Sequence, residues 1–120
     1  MRRVVDATFP APQEVLLLYI IYQKDGPDSV HIRAAVKEAH FAYLERHRDS
    51  LVLGGALLAD DGTTRIGSVL ILNLPSRAAA EAFSADEPFR KAGLFKSVKI
   101  TRMRRGQWNP DAAPKTPEGN

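Results

Sequence analysis

The chain has 120 residues, of which 44% are hydrophobic and 26% are charged, with a net charge of +3 and no cysteine. This length and composition are typical of one globular domain and argue against a disordered or membrane-spanning chain. The lack of cysteine excludes disulfides, thiolate nucleophiles and cysteine-ligated zinc. Because no stretch resembles a signal peptide either, we expect a cytoplasmic protein with no membrane attachment.

The first half of the chain predicts an arm, a strand and a helix. Residues 1–14 contain two prolines near their end and are expected to form an irregular arm. "VLLLYIIY", residues 15–22, is apolar at odd and even positions, as expected of a strand that is covered on both faces. "QKDGPDS" predicts a turn with Asp28 or Ser29 as the helix N-cap. From Val30 to His47 apolar residues recur every three or four positions, which is typical of a helix with one buried face.

The second half predicts three strands and a second helix. "LVLGGALL", residues 51–58, is a strand in which Gly54 and Gly55 favour a bulge or a close backbone approach. "ADDGTTR" is a hairpin turn, and "IGSVLILNL", residues 66–74, is the third strand. A helix then runs from Ser76 to about Phe83, "DEPF" interrupts it, and residues 95–104 form the fourth strand. Residues 107–120 hold three prolines and are expected to be a flexible tail, so the folded domain covers residues 15–106.

The order βαββαβ predicts an α+β protein with the ferredoxin-like arrangement, in which two helices cover one face of an antiparallel sheet. The first and third strands are apolar on both faces, however, so the second face is expected to be an apolar surface without cover from the helices. Apolar surfaces of that size mark association sites. We therefore expect a homodimer in which two sheets pack face to face.

A run of basic residues precedes the tail. Seven arginines and lysines and no acidic residue lie between Arg90 and Arg105. Such a run could attract phosphates, but no aromatic residues alternate with the charges to stack on bases. We expect an exposed strand face here and no nucleic-acid partner.

His40 is the titratable residue of greatest interest, because it lies at the border of the apolar stripe of the first helix. Arg33 and Lys37 precede it on the same flank and give that border a positive charge. We expect His31 to lie on the surface and His47 at the edge of the core. No spacing of His, Asp or Glu indicates a metal site, and no glycine-rich phosphate loop or serine nucleophile motif is present, so neither a metal nor a cofactor is expected.

Four segments of the chain resemble the YCII-related (YciI-like) proteins, which share their fold with muconolactone isomerase and other dimeric α+β barrels. The resemblance covers about residues 16 to 105. It is carried by "LLYIIYQKDGPDS", "RAAVKEAHFAYL", "LLADDG" with "GSVLIL", and "ADEPFRKAGLF". The last segment is the most specific, because an acid, Pro, an aromatic residue, Ala and Gly occur there in the family's order.

The resemblance implies a homodimer with a pocket near the sheet, lined by a histidine and an acid that act as a catalytic pair. The histidine corresponds to His40 and the acid to Asp86 or Glu87, either of which could also serve as a helix N-terminus before Pro88. Gly55, followed by Ala56 where many relatives have proline, is expected in the pocket wall, and Ser68 is a candidate hydrogen-bond partner for a ligand.

A His and carboxylate pair is suited to proton transfer, because the acid fixes the tautomer of the imidazole. Arg33 and Lys37 would hold a carboxylate or phenolate, or stabilise an enolate. We therefore expect a cofactor-free isomerase or lyase that acts on a small anionic metabolite by isomerisation, elimination or lactone rearrangement. The alternatives are a dimer that binds such a metabolite without converting it, and an oxygenase of the same fold in which His40 or His47 is a base or a haem ligand.

Overall fold

The computed structural model describes residues 17–118. Its elements are β1 (Leu17–Asp25), α1 (Ser29–Arg46), β2 (Leu51–Leu58), β3 (Arg65–Leu74), α2 (Arg77–Asp86), α3 (Pro88–Lys91) and β4 (Phe95–Met103). The four strands form one antiparallel sheet in the order β2-β3-β1-β4. This is the ferredoxin-like α+β fold that the sequence predicts, with α3 as a short additional helix in the "DEPF" segment.

The helices cover one face of the sheet. Ile21 of β1 is opposite Leu70 of β3, and both are buried against Tyr43 of α1 and Phe83 of α2. The Tyr43 hydroxyl donates a hydrogen bond to the carbonyl oxygen of Phe83 at 2.9 Å. Its pKa is raised, first by burial and then by the negative charges of Asp86 and Glu87, so the hydroxyl keeps its proton and this bond.

The opposite face of the sheet is apolar and is covered by none of the three helices. Leu18, Ile20 and Tyr22 of β1 alternate with the core residues. Across the ladder, Ile71 of β3 is opposite Ile20 and Val69 is opposite Tyr22, whereas Leu18 is opposite Asn73. Tyr22 is 41% exposed on this face. We refer to these five apolar residues as the open face. They are the uncovered apolar surface that the sequence predicts.

Strand β1 is longer than predicted. Gln23, Lys24 and Asp25 were expected in a turn but continue the strand, because they pair with β3 and β4. The close approach of β1 and β3 at this end depends on Gly67, where a Cβ atom would lie only 2.1 Å from the carbonyl oxygen of Gln23. The strand's predicted start at residue 15 lies outside the described residues.

Two further predictions differ from the structure in detail. Helix α2 continues past Phe83 to Asp86, after beginning at an N-cap in which Ser76 accepts a hydrogen bond from the Ala79 amide. Strand β2 is continuous through Gly54 and Gly55, and its register shifts lie instead between Leu51 and Leu53 and between Leu57 and Leu58. The predicted close backbone approach is not found either: a Cβ atom on Gly54 would lie 2.8 Å from a side-chain methyl group of Leu70, and its nearest backbone atom would be 3.7 Å away.

The hairpin between β2 and β3 is closed by Asp61. Its carboxylate accepts hydrogen bonds from the amides of Thr63 and Thr64 and from the Thr64 hydroxyl, as expected of an Asx turn. These bonds, led by that of the Thr64 hydroxyl, lower the pKa of Asp61 to about 2. The carboxylate therefore stays ionised over the pH range in which most proteins are studied, and it keeps the hydrogen bonds that close the predicted turn.

The structure describes the basic run and most of the predicted tail. The predicted arm, residues 1–14, lies outside the described residues, and the predicted tail contains a short 3-10 helix, Pro110–Ala112, with exposed side chains. On β4, Lys99 pairs with Tyr22 on the open face, whereas Arg102 pairs with Tyr19 on the helical side. The absence of a nucleic-acid partner stays a prediction. None of the helices within residues 17–118 is long and apolar enough to cross a membrane.

Candidate functional site

A pocket of about 710 Å³ lies between α1 and the strands β2 and β3. His40, Lys37 and Arg33 line it from α1, and Ser68 and Gly55 line it from the sheet. These are five of the seven residues that the sequence predicts for the site. Gly54 and Ala56 of β2 also line the pocket, and a Cβ atom on Gly54 would lie 2.8 Å from a methyl group of Leu70, another lining residue.

His40 contacts Glu87 at the wall of the pocket. The distance between Nδ1 of His40 and Oε2 of Glu87 is 2.5 Å, and the two side chains are 14% and 1% exposed. Oε2 also accepts a hydrogen bond from the amide of Phe89, and Oε1 accepts one from the amide of Arg90. An ionised carboxylate can only accept hydrogen bonds, so we assign Nδ1 of His40 as the donor in its contact with Glu87, which leaves Nε2 as the ring nitrogen for a ligand.

The local sequence places Glu87 in this position. Glu87 is the N-cap of α3, and Pro88 follows it in the first turn, where proline needs no amide hydrogen. Asp86 is the last residue of α2 and is exposed. Of the two acids that the resemblance leaves open, the one in contact with His40 is therefore Glu87.

The ring of His40 is also fixed by packing. It stacks on Phe89 with the ring centroids 3.9 Å apart and an angle of 15° between the planes. The carboxylate of Glu87 and the ring of Phe89 thus hold the imidazole on two sides. The side chain of His40 is therefore more deeply buried than its position at the border of the apolar stripe predicts. Of the other histidines, His31 is exposed, and His47 packs on Tyr43 and Phe83 at the edge of the core.

Arg33 has a partner that the sequence did not reveal. One of its guanidinium nitrogens donates to both carboxylate oxygens of Asp25, at 2.8 Å each, and the Asp25 side chain is only 6% exposed. The guanidinium carbon also lies 5.2 Å from the centre of the Phe89 ring. Arg33 is therefore neutralised by an acid from the end of β1, which the sequence assigned to a turn.

The pocket is lined by two more polar residues, which the sequence does not predict for the site. Gln23 is buried in β1, and its side-chain nitrogen donates to the Ser68 hydroxyl at 2.9 Å. Arg65, the first residue of β3, lines the pocket beside Lys37 and Arg33. Partial burial, and then the charge of Arg33, lower the pKa of Arg65, whereas Asp25 raises it. In the sequence, a basic residue at the start of a strand does not by itself indicate that its side chain faces a pocket.

The charges of the site favour an anionic ligand. Three cationic side chains and no carboxylate line the pocket directly. Asp25 and Glu87 are not lining residues. Each is buried and pairs with a pocket residue, Asp25 with Arg33 and Glu87 with His40. Within residues 17–118, no group of three or more His, Asp or Glu side chains is placed to hold a metal ion.

Comparison with known proteins gives a consistent result. The family model of the YCII-related domain matches residues 17–104. The protein YciI of Escherichia coli is 32% identical over 91 residues, which cover 70% of this chain and 93% of that protein. An uncharacterised protein of Haemophilus influenzae is 28% identical over the same length. The solved structure of 5-chloro-2-hydroxyhydroquinone dehydrochlorinase from Burkholderia phenoliruptrix, in complex with 2,5-dihydroxybenzoquinone, is 36% identical, has a TM-score of 0.67 and covers 74% of this chain and 95% of its own.

Proposed function

Because the chain belongs to the YCII-related family, we propose that it is a small enzyme that transfers protons on an anionic metabolite, with His40 as the general acid and base. The observation that carries this proposal is the 2.5 Å contact between His40 and the buried carboxylate of Glu87 at the wall of the pocket. An acid that holds one imidazole nitrogen fixes the tautomer and leaves the other nitrogen to exchange protons with a substrate.

The proposed reaction begins when Nε2 of His40 takes a proton from a carbon next to a carbonyl group. The electron pair of the broken C–H bond then forms an enolate, whose charge the cationic side chains of the pocket stabilise. The enolate either expels a leaving group, which is an elimination, or takes the proton back from His40 at another carbon, which is an isomerisation. The similarity to a dehydrochlorinase supports the elimination.

The planar quinone that the dehydrochlorinase binds offers a direct test of this proposal. In D2O, a proton-transfer enzyme is expected to exchange the two ring C–H protons of 2,5-dihydroxybenzoquinone, because each of these carbons belongs to an enol. The carbon takes a deuteron from His40 to become an sp3 carbon between two carbonyl groups, and His40 then removes the original proton and restores the enol. We expect the protein to bind this compound, as measured by calorimetry, and to accelerate loss of its proton NMR signal above the rate in buffer. Binding without accelerated exchange would favour a protein that holds the ligand and does not convert it.

We also propose that the protein is a homodimer in which two open faces pack together. The five side chains Leu18, Ile20, Tyr22, Val69 and Ile71 supply an apolar surface that no helix covers. Burying it against a second copy would remove it from water by a closed twofold contact, which is the commonest form of association between identical chains.

Sedimentation is expected to give a mass twice the 13.2 kDa of one chain. Ile71→Lys introduces a charge into the centre of the open face, and we expect this variant to sediment as a monomer. The matched control is Val30→Lys, because Val30 is an apolar residue of α1 that is 79% exposed and lies outside the open face. A monomeric wild-type protein at micromolar concentration would contradict the proposal.

A further inference from the structure

The pocket changes from polar to apolar along its length. Ser68 is opposite Gln23 of β1 and Ala56 of β2, and two residues further along β3 Leu70 is opposite Ile21 and Gly54. On α1, Arg33 and Leu44 both line the pocket and are 11 residues apart, or about 16 Å along the helix axis. Arg33 and Arg65 lie at the polar end, and Leu44 lies with Leu51 and Leu70 at the apolar end.

The two arginines at the polar end differ in how they are paired. Arg33 donates two hydrogen bonds to the buried carboxylate of Asp25. These bonds pair the charge of the guanidinium group with that of the carboxylate. Arg65 has no carboxylate among its hydrogen-bond partners within residues 17–118, and it retains considerable exposure. Of the two guanidinium groups, that of Arg65 is therefore the one able to accept an anion without breaking an existing ion pair.

The charge of the site points in the same direction. Arg33, Lys37 and Arg65 carry three positive charges, and Asp25 and Glu87 carry two negative ones, which leaves an excess of one positive charge when His40 is neutral. The lowered pKa of Arg65 has burial and the charge of Arg33 as its leading causes. A ligand with one negative charge at this end would offset the repulsion from Arg33 and favour the charged form of Arg65.

From these observations we propose that Arg65 is the residue that binds the anionic group of the ligand, whereas Arg33 supports the pocket wall through Asp25. The ligand class is then that of elongated monoanions, such as an unsaturated monocarboxylate, whose anionic group lies at Arg65 and whose apolar body extends past His40 toward Leu44 and Leu70. This inference rests on the proposed function only in taking the same pocket as the ligand site, and it specifies the class of substrate.

Binding of acids and of their neutral amides tests this assignment without any need for turnover. The probes are benzoate, cinnamate and 5-phenylpenta-2,4-dienoate, which increase in length, together with the three corresponding amides. Calorimetry with the full-length protein is expected to show that each acid that binds does so more tightly than its amide. The two longer acids are expected to bind more tightly than benzoate. We expect Arg65→Gln to weaken binding of the acids by about 10- to 100-fold, as for loss of a charge-assisted hydrogen bond, and to leave binding of the amides unchanged.

Two further variants make the result specific. Arg102→Gln removes an exposed arginine of β4 and is expected to leave binding of all six probes unchanged. Lys37→Gln is expected to weaken the acids less than Arg65→Gln does. The proposal would be overturned if no acid binds more tightly than its amide, or if Arg65→Gln weakens acids and amides equally. It would also be overturned if Lys37→Gln alone removes the preference for acids. A protein that binds the acids through Arg65 but exchanges no protons would contradict the proposed function and leave this inference intact.

Discussion

Replacement of His40 by asparagine is expected to slow deuterium exchange into bound 2,5-dihydroxybenzoquinone by about 10²- to 10⁴-fold, the usual contribution of a general acid or base. The asparagine amide can still donate a hydrogen bond to Glu87 from a position near that of Nδ1, but the variant has no group that corresponds to Nε2. The buried carboxylate therefore keeps its partner while the proton-transferring nitrogen is lost. The measurement is the exchange rate by proton NMR at saturating ligand.

His40→Ala provides the comparison. It removes the hydrogen bond as well and leaves the 1% exposed carboxylate of Glu87 with two backbone donors only. We expect this variant to lose about 1–3 kcal/mol of stability, which lowers the melting temperature of a domain of this size by several degrees. Exchange at the wild-type rate in the asparagine variant, with the ligand bound as before, would contradict a catalytic role for His40.

Replacement of Glu87 by alanine is expected to have the largest effect on stability. The carboxylate caps α3 through two backbone amides, accepts the bond from His40 and fills a fully buried position. Loss of the cap and of the charge-assisted bond together is expected to cost about 2–4 kcal/mol in the free energy of unfolding, as measured by urea denaturation. The exchange rate should also fall at least tenfold, because His40 loses the group that orients it.

Two variants separate the roles of the acids. Glu87→Gln keeps the shape of the side chain, but its amide cannot serve all three donors, so we expect a smaller loss of stability together with slow exchange. Asp86→Ala changes the neighbouring exposed acid and is expected to alter neither quantity. An equal effect of Asp86→Ala and Glu87→Ala on exchange would show that the contact with His40 does not determine the activity.

The same sequence signals that identify the family also determine most of the fold. Runs of apolar residues, either alternating or without polar interruption, predict the strands. Apolar residues at helical spacing between Val30 and His47 predict the first helix, and turn residues such as those around Asp61 separate the elements. These signals are local, because each depends on the few residues that form one element. For the same reason they place His40, Lys37 and Arg33 on one flank of a helix.

Only the tertiary structure distinguishes Glu87 from Asp86. The two residues are adjacent, both are acidic and both suit a helix terminus, but the end of α2 leaves Asp86 exposed and turns Glu87 toward His40. Asp86 still belongs to the helix, whereas Glu87 has an extended backbone, so the two adjacent side chains lie in different directions. Sequence patterns do not locate the end of a helix to within one residue.

The pairing of Arg33 with Asp25 and the position of Arg65 also required the fold. The sequence by itself determined the elements, the uncovered apolar face and the helical flank that carries His40. Asp25 belongs to β1 because Gln23 and Lys24 pair with β3 and Asp25 itself pairs with Phe95 of β4. Arg65 reaches the pocket because the β2-β3 hairpin brings the start of β3 near α1. Contacts between residues far apart in sequence depend on how the sheet is assembled, and no local pattern of charge or hydrophobicity records them.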